Sequence, residues 1–256
     1  MTRTIPPAPS HDDTRAMIAS LAPTQRLTSR SASRTDDWEA SLQRAVDETD
    51  VAVLPSSLVA FSAQISRQDK HDILLCHQLV QILMRAARER EATDDWFAYY
   101  KRRLEFLGWY ELYLPDSGTS SSYLPADDIS PVTLQAVKDI GLPGSGLQAP
   151  ALQRLEQDQA AQRVMVRNTV VGQSAVYRFL PSMTGANGMV EALLYQRQFQ
   201  DQRTMTKGRF FSQITTTQQV EERLAVIAFR PGHFERHRQQ VLDTLRQQIE
   251  TRIYPL

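Results

Sequence analysis

Several features that would mark a protein class are missing from this chain of 256 residues. It has a single cysteine, Cys76, so no disulfide can form within it. The formal net charge is zero, with 29 basic and 29 acidic residues, and this excludes a strongly basic nucleic-acid face. No apolar run approaches the about 20 residues that a spanning helix needs, so no stable membrane insertion is expected. The N-terminus, Met1-Thr2-Arg3-Thr4-Ile5-Pro6-Pro7, lacks the apolar core of a secretory signal. The expected location is therefore the cytoplasm, or outside the cell by export without a cleaved secretory signal. No Gly-x-Ser-x-Gly elbow, P-loop or dinucleotide fingerprint occurs. With 41% apolar and 23% charged residues, what remains has the composition of an ordinary globular domain.

Residues 1 to 35 carry Pro6, Pro7, Pro9 and Pro23, many Ser and Thr, and few large apolar side chains. They read as a disordered tail, in which a short helix near Thr14 to Leu21 is the one structured element considered. Residues 36 to 256 read as one α+β domain. Its helical part is 36–108, its sheet with inserted helices 109–230, and its closing helix 231–256.

A first helix is expected over Asp37 to Glu48, with Asp36 as N-cap and Glu39 completing a capping box. An apolar connection, Val51 to Phe61, follows. Gln68 to Glu91 is the strongest helical signal: Ser66 caps it, and two adjacent apolar stripes imply burial against more than one element. A third helix spans Asp94 to Leu107, capped by Thr93 and stopped by Gly108. Trp109 to Leu114 reads as a first strand and Pro115 to Ser122 as a loop. Ser130 to Ile140 reads as a short helix, Gly141 to Pro150 as a break, and Ala151 to Ala161 as a polar helix.

The periodicity then switches to alternation. Strands are expected over Arg163–Val171, Ser174–Leu180, Met189–Phe199, Arg209–Thr215 and Val220–Phe229. Turns at Gly172-Gln173 and Asn187-Gly188 join them into an antiparallel meander. An amphipathic helix, His233 to Ile253, closes the chain. The expected fold is N-terminal helices on one face of an antiparallel β-meander, closed by the C-terminal amphipathic helix.

Two blocks resemble a family. One is Ser57-Leu58-Val59-Ala60-Phe61, Asp72-Ile73-Leu74-Leu75, Trp96-Phe97-Ala98-Tyr99-Tyr100 and Leu104-Glu105-Phe106-Leu107-Gly108-Trp109. The other is the meander followed by its helix. Together they are similar to a broad bacterial and fungal family of soluble α+β proteins with an aromatic helix ending in Gly-Trp. The resemblance implies a fold over roughly residues 50 to 253 and brings no site.

The chemistry-bearing residues form few patterns. His233 and His237 stand one helical turn apart and could share a metal, but no third ligand is marked and the zincin order is absent. His71, Asp72, Cys76 and His77 form a second group, yet adjacent Cys76 and His77 point about 100° apart on a helix. Cys76 also lies on an apolar stripe. The acidic pairs Asp36-Asp37, Asp94-Asp95 and Asp127-Asp128 suit helix starts. The sequence thus marks no catalytic residue, no cofactor-binding residue, no cofactor and no metal site. Among the clustered aromatics, Tyr99 and Phe106 fall off the main apolar stripe. With Lys101 and Arg102 they form the candidate partner surface.

The favoured reading is a non-catalytic protein-interaction module, an accessory or effector-like protein of a bacterial secretion or toxin system. The flexible tail and 24 glutamines are compatible with it. A protein partner is expected, nucleic acid is not, and the oligomeric state is open. The alternatives are an enzyme of unrecognised type, which the sequence leans against, and a membrane-active, pore-forming protein.

Overall fold

The computed structural model describes residues 6–21, 29–88, 95–113, 120–125, 145–171, 174–200, 217–248 and 253–256. The helix expected over Ser130–Ile140, the strand over Arg209–Thr215 and the Gly172-Gln173 turn lie outside them.

The described helices are α1 (His11–Ala19), α2 (Ser29–Asp47), α3 (Arg67–Arg88), α4 (Trp96–Phe106), α5 (Gln148–Gln157), α6 (Gln159–Thr169), α7 (Pro231–Glu235) and α8 (Arg238–Arg246). The strands are β1 (Val51–Leu54), β2 (Ser57–Phe61), β3 (Trp109–Tyr113), β4 (Ser120–Pro125), β5 (Val170–Val171), β6 (Ser174–Thr184), β7 (Val190–Gln200), β8 (Thr217–Phe229) and β9 (Tyr254–Pro255). All belong to one sheet of order β3-β8-β7-β6-β2-β1-β9, with β4 also on β8 and β5 also on β6. The fold is α+β and the pairing is antiparallel except for β2 against β6.

That parallel joint amends the expected meander. The apolar stretch Val51–Phe61 is not a connection but the β1–β2 hairpin, inserted between β6 and β9. Its residues are buried on both faces, so its sequence shows no alternation. Ala52, Leu54, Val59 and Phe61 join one core, and Val51, Val53, Leu58 and Ala60 join the other.

Helices cover both faces of the sheet, where the sequence suggested one. On one side α1 to α4, α7 and α8 pack on Leu180, Leu194, Ile227 and Phe229. On the other, Ala151 and Leu155 of α5 and Ala161 and Met165 of α6 pack on Tyr177, Phe179, Leu193, Tyr195 and Val226.

Several element boundaries differ from expectation for local reasons. Within the segment expected to be a disordered tail, His11–Ala19 is helical: the Ser10 hydroxyl caps it by accepting from Asp13 N at 3.1 Å, and Met17 and Ile18 are buried. The helix expected from Asp37 begins at Ser29, so Asp36 lies within α2 and not at its start. Asp95 caps α4, accepting from Ala98 N at 2.9 Å, and the expected cap Thr93 lies outside the described residues. Ser120–Ser122, expected in a loop, pair with β8.

Residues 163–169, expected as strand, continue α6. The Asp158 carboxylate accepts from Ala160 N and Ala161 N at 2.9 and 3.0 Å and starts the helix, and Ala161 and Met165, one turn apart, are both buried. The single closing helix is instead the pair α7 and α8, broken at Arg236–His237, and Tyr254–Pro255 return to the sheet edge beside β1.

Two turns follow the sequence closely. Gly188 (φ +76°) turns β6 into β7, with Asn187 Oδ1 accepting from Met189 N. Gly108 ends α4 at φ +93°, and a Cβ there would sit 2.9 Å from the Arg230 carbonyl oxygen.

Helix α3 is the centre of the helical layer, and every residue from Asp72 to Gln81 is buried. Ser66 caps it, accepting from Asp69 N at 3.0 Å. Its buried polar side chains each reach a different neighbour. Asp72 accepts a bidentate pair from Arg238 of α8 at 2.7 and 2.8 Å. His77 Nδ1 shares a hydrogen bond with the Tyr100 hydroxyl of α4 at 2.9 Å. Gln78 Oε1 accepts from the Trp38 indole of α2 at 3.0 Å. Gln81 accepts from Ser56 N at 2.8 Å and donates to the Ser57 hydroxyl at 3.0 Å, in the β1–β2 hairpin.

The Asp72–Arg238 pair is asymmetric, because the Asp72 side chain is 0% exposed and that of Arg238 26%. Removing Arg238 leaves a buried carboxylate with no paired cation and only Gln68 Nε2 and the His71 ring beside it, whereas removing Asp72 leaves a guanidinium that can turn to water. Arg238→Ala is therefore expected to cost about 3–5 kcal/mol and Asp72→Ala about 1–3 kcal/mol in urea denaturation. Equal or reversed costs would contradict this asymmetry.

Candidate functional site

Three histidines meet where α1 crosses the end of the helical layer. His11 opens α1, His233 lies in α7 and His237 sits at the α7–α8 break. One ring nitrogen of each lies within 4.8 Å of the others. His11 Nδ1 and His237 Nε2 are 2.9 Å apart, and the His11 and His233 rings stack with centroids 5.1 Å apart.

The backbone around Phe106 and Gly108 organises this junction. The Phe106 carbonyl accepts from the Thr14 hydroxyl of α1 at 3.0 Å and pairs with His233 Nε2 at 3.0 Å. Gly108, lacking a side chain, leaves room for His233, whose Cβ would lie 3.3 Å from any Cβ placed there. His237 is buried, while His11 and His233 are half-buried. Burial, followed by the neighbouring imidazoles and the Arg15 and Arg236 charges, pulls His237 down to about 4. Burial also lowers His233, despite its bond to the Phe106 carbonyl. The His237 imidazole is thus uncharged at neutral pH, the state in which histidine ligates metals.

Sequence reasoning singled out His233 and His237 but found no third ligand. His11 was missed because it lies in the proline-rich segment read as a tail, far away in the chain. The only available signal was the Ser10–Asp13 capping pattern that makes α1 a helix.

The second histidine group does not form one site. Asp72 faces Arg238, Cys76 is fully buried, and His77 faces Tyr100. Burial, reinforced by the Asp72 charge, pushes the Cys76 thiol well above its usual range. Burial pushes the Tyr100 phenol up to about 12. These groups belong to a buried polar network that includes Arg178, which donates to Gln196 Oε1 at 2.6 Å and lies 4.2 Å over the Tyr100 ring.

Of the candidate partner surface, Tyr99, Lys101 and Phe106 are half-buried and Arg102 is exposed on α4. The Arg103 guanidinium lies 4.6 Å from the Tyr99 ring and 6.0 Å from the Phe106 ring. Lys101 pairs with Glu111 of β3. The structure thus places all four residues on one short helix, two of them in a ladder around Arg103.

No family model and no curated protein sequence matches the chain. Among solved structures it is similar to one described as "Structure of the Evf virulence factor", with 12% identity, a TM-score of 0.40, and coverage of 94% of this chain and 91% of that one. A likeness that low carries no activity across. The family resemblance in the aromatic block rests on those residues alone.

The buried network gives a pH prediction. Burial, then the Arg178 charge, lowers His77 from 6.5 to about 3. Between those values the unfolded chain binds a proton that the folded chain does not, so this stability is full above the unfolded value and falls as pH drops. His77 alone is expected to contribute a slope of up to about 1.4 kcal/mol per pH unit. Urea titrations across that range should show a flatter dependence in His77→Gln, and an unchanged slope would contradict the assignment.

Proposed function

We propose that the chain is a non-catalytic protein-interaction module, of the accessory or effector-like kind that serves bacterial secretion or toxin systems. The observation that carries this reading is the outer face of α4. There Tyr99 and Phe106 remain half-exposed, braced by Arg103 and flanked by Lys101 and exposed Arg102. Aromatic and arginine side chains held rigidly at a surface lose little freedom on docking, which is why they dominate binding energy at protein interfaces. The partner that suits this face is a protein with a carboxylate for Arg102 and an apolar pocket for Tyr99.

The polar and thiol groups of α3 are occupied within the core, which favours a binding role for this part of the chain. The Cys76 thiol is buried with a raised pKa, His77 is neutral and bonded to Tyr100, and Asp72 is held by Arg238. Among the described residues no helix is long and apolar enough to cross a membrane.

A photo-crosslinking residue at Tyr99 tests the reading, with one at exposed Gln239 on α8 as control. A discrete protein adduct is expected at Tyr99, absent at Gln239 and reduced about tenfold by Arg102→Glu, the effect of losing one well-placed interface charge. Thermal unfolding of Arg102→Glu should match the parent, because this side chain is exposed. Absence of an adduct at Tyr99, or the same adduct at both positions, would contradict the proposal.

A further inference from the structure

We propose that His11, His233 and His237 form a divalent transition-metal site that fastens the N-terminal helix α1 to the C-terminal helices α7 and α8. Three imidazole nitrogens lie within 4.8 Å of one another. Around a tetrahedral ion with metal–nitrogen distances of about 2.0–2.1 Å, ligand nitrogens sit about 3.3 Å apart. One pair, His11 Nδ1 and His237 Nε2, is already at 2.9 Å. The remaining adjustment falls on His11, whose ring is half-buried, since the Phe106 carbonyl holds His233.

The surroundings are those of a ligating histidine. Metal-bound imidazoles commonly donate their second ring N–H to a backbone carbonyl, which fixes the ring and its tautomer. His233 Nε2 makes that bond to the Phe106 carbonyl at 3.0 Å, which leaves Nδ1 for the cluster. His237 is 1% exposed, and its Nδ1 is buried without a hydrogen-bond partner. Its Nε2 faces His11 and is the nitrogen this ring offers to a metal.

The same geometry defines which metal fits. Among the described residues the cluster holds three imidazoles and no carboxylate. That favours zinc, nickel, cobalt or copper over magnesium or calcium, which require oxygen ligands. The charged groups facing the cluster are Arg15, Arg230 and Arg236, which weaken cation binding. Arg236 donates to His11 Nε2 at 2.8 Å, so without metal His11 carries its proton on Nδ1 and donates it to His237. Metal binding at Nδ1 moves that proton to Nε2, and the exposed Arg236 side chain swings away. The outward side of the cluster is left for water as a fourth ligand.

The site would join residues from opposite ends of the chain. Helix α1 is otherwise held by Thr14, Met17 and Ile18, so the ion would control how firmly it docks.

The test uses the untagged full chain, stripped with a chelator and titrated at neutral pH with Zn²⁺ by calorimetry and with Co²⁺ by visible absorption. One saturable site per chain is expected, with tetrahedral Co²⁺ bands and no response to Mg²⁺. His11→Ala removes a half-buried ligand with little risk to the core, and it should weaken binding by at least about tenfold. His71→Ala, a histidine outside the cluster, should bind as the parent does. The proposal is overturned if the stripped chain shows no saturable site, if His11→Ala loses less than about tenfold, or if His71→Ala loses as much.

Discussion

The structure depends on burying one helix on all sides, its polar side chains included. Every residue from Asp72 to Gln81 is inside, including an aspartate, a histidine and two glutamines. An apolar helix in that position would pack, but it could slide or rotate against its neighbours at small cost. Each polar group instead must find its own partner, because an unpaired one costs about 1–3 kcal/mol. Asp72 selects α8, His77 selects α4, Gln78 selects α2 and Gln81 selects the β1–β2 hairpin. The helix therefore fixes the register of four elements at once.

That role crosses the boundary expected between a helical part, 36–108, and a sheet part, 109–230. The hairpin β1–β2 is contiguous with the helical half of the chain, yet it is a part of the sheet, parallel to β6. Arg178 of β6 continues the polar network from the sheet side, through Ser56, Gln196 and the face of Tyr100. Helical layer and sheet are thus joined by hydrogen bonds as well as by the apolar core.

The legible parts of the sequence were those where local chemistry and global packing agree. Helix α3 announced itself through a Ser66 cap and two apolar stripes, and the β6–β7 hairpin through Asn187-Gly188. What misled were segments whose pattern has two physical explanations. Val51–Phe61 lacks alternation because both its faces are buried. Residues 163–169 place valines at alternate positions, but the Asp158 cap and the Ala161–Met165 spacing decide for helix. The candidate site was half legible. His233 and His237 share a local spacing that sequence can show, whereas His11 joins them only through the docking of α1, a long-range event with no local signature. The α4 surface was legible as a periodicity mismatch, although the stacking of Arg103 on it was not.

The central claim, that α3 is held from every side as one cooperative body with the sheet, has a direct test in native-state hydrogen exchange. The backbone amides from Ile73 to Leu83 should exchange only through global unfolding, with the same free energy and denaturant dependence as the central strands β6 and β7. Exchange of those amides at a clearly lower free energy than the strands, through an opening that leaves the sheet folded, would contradict the account.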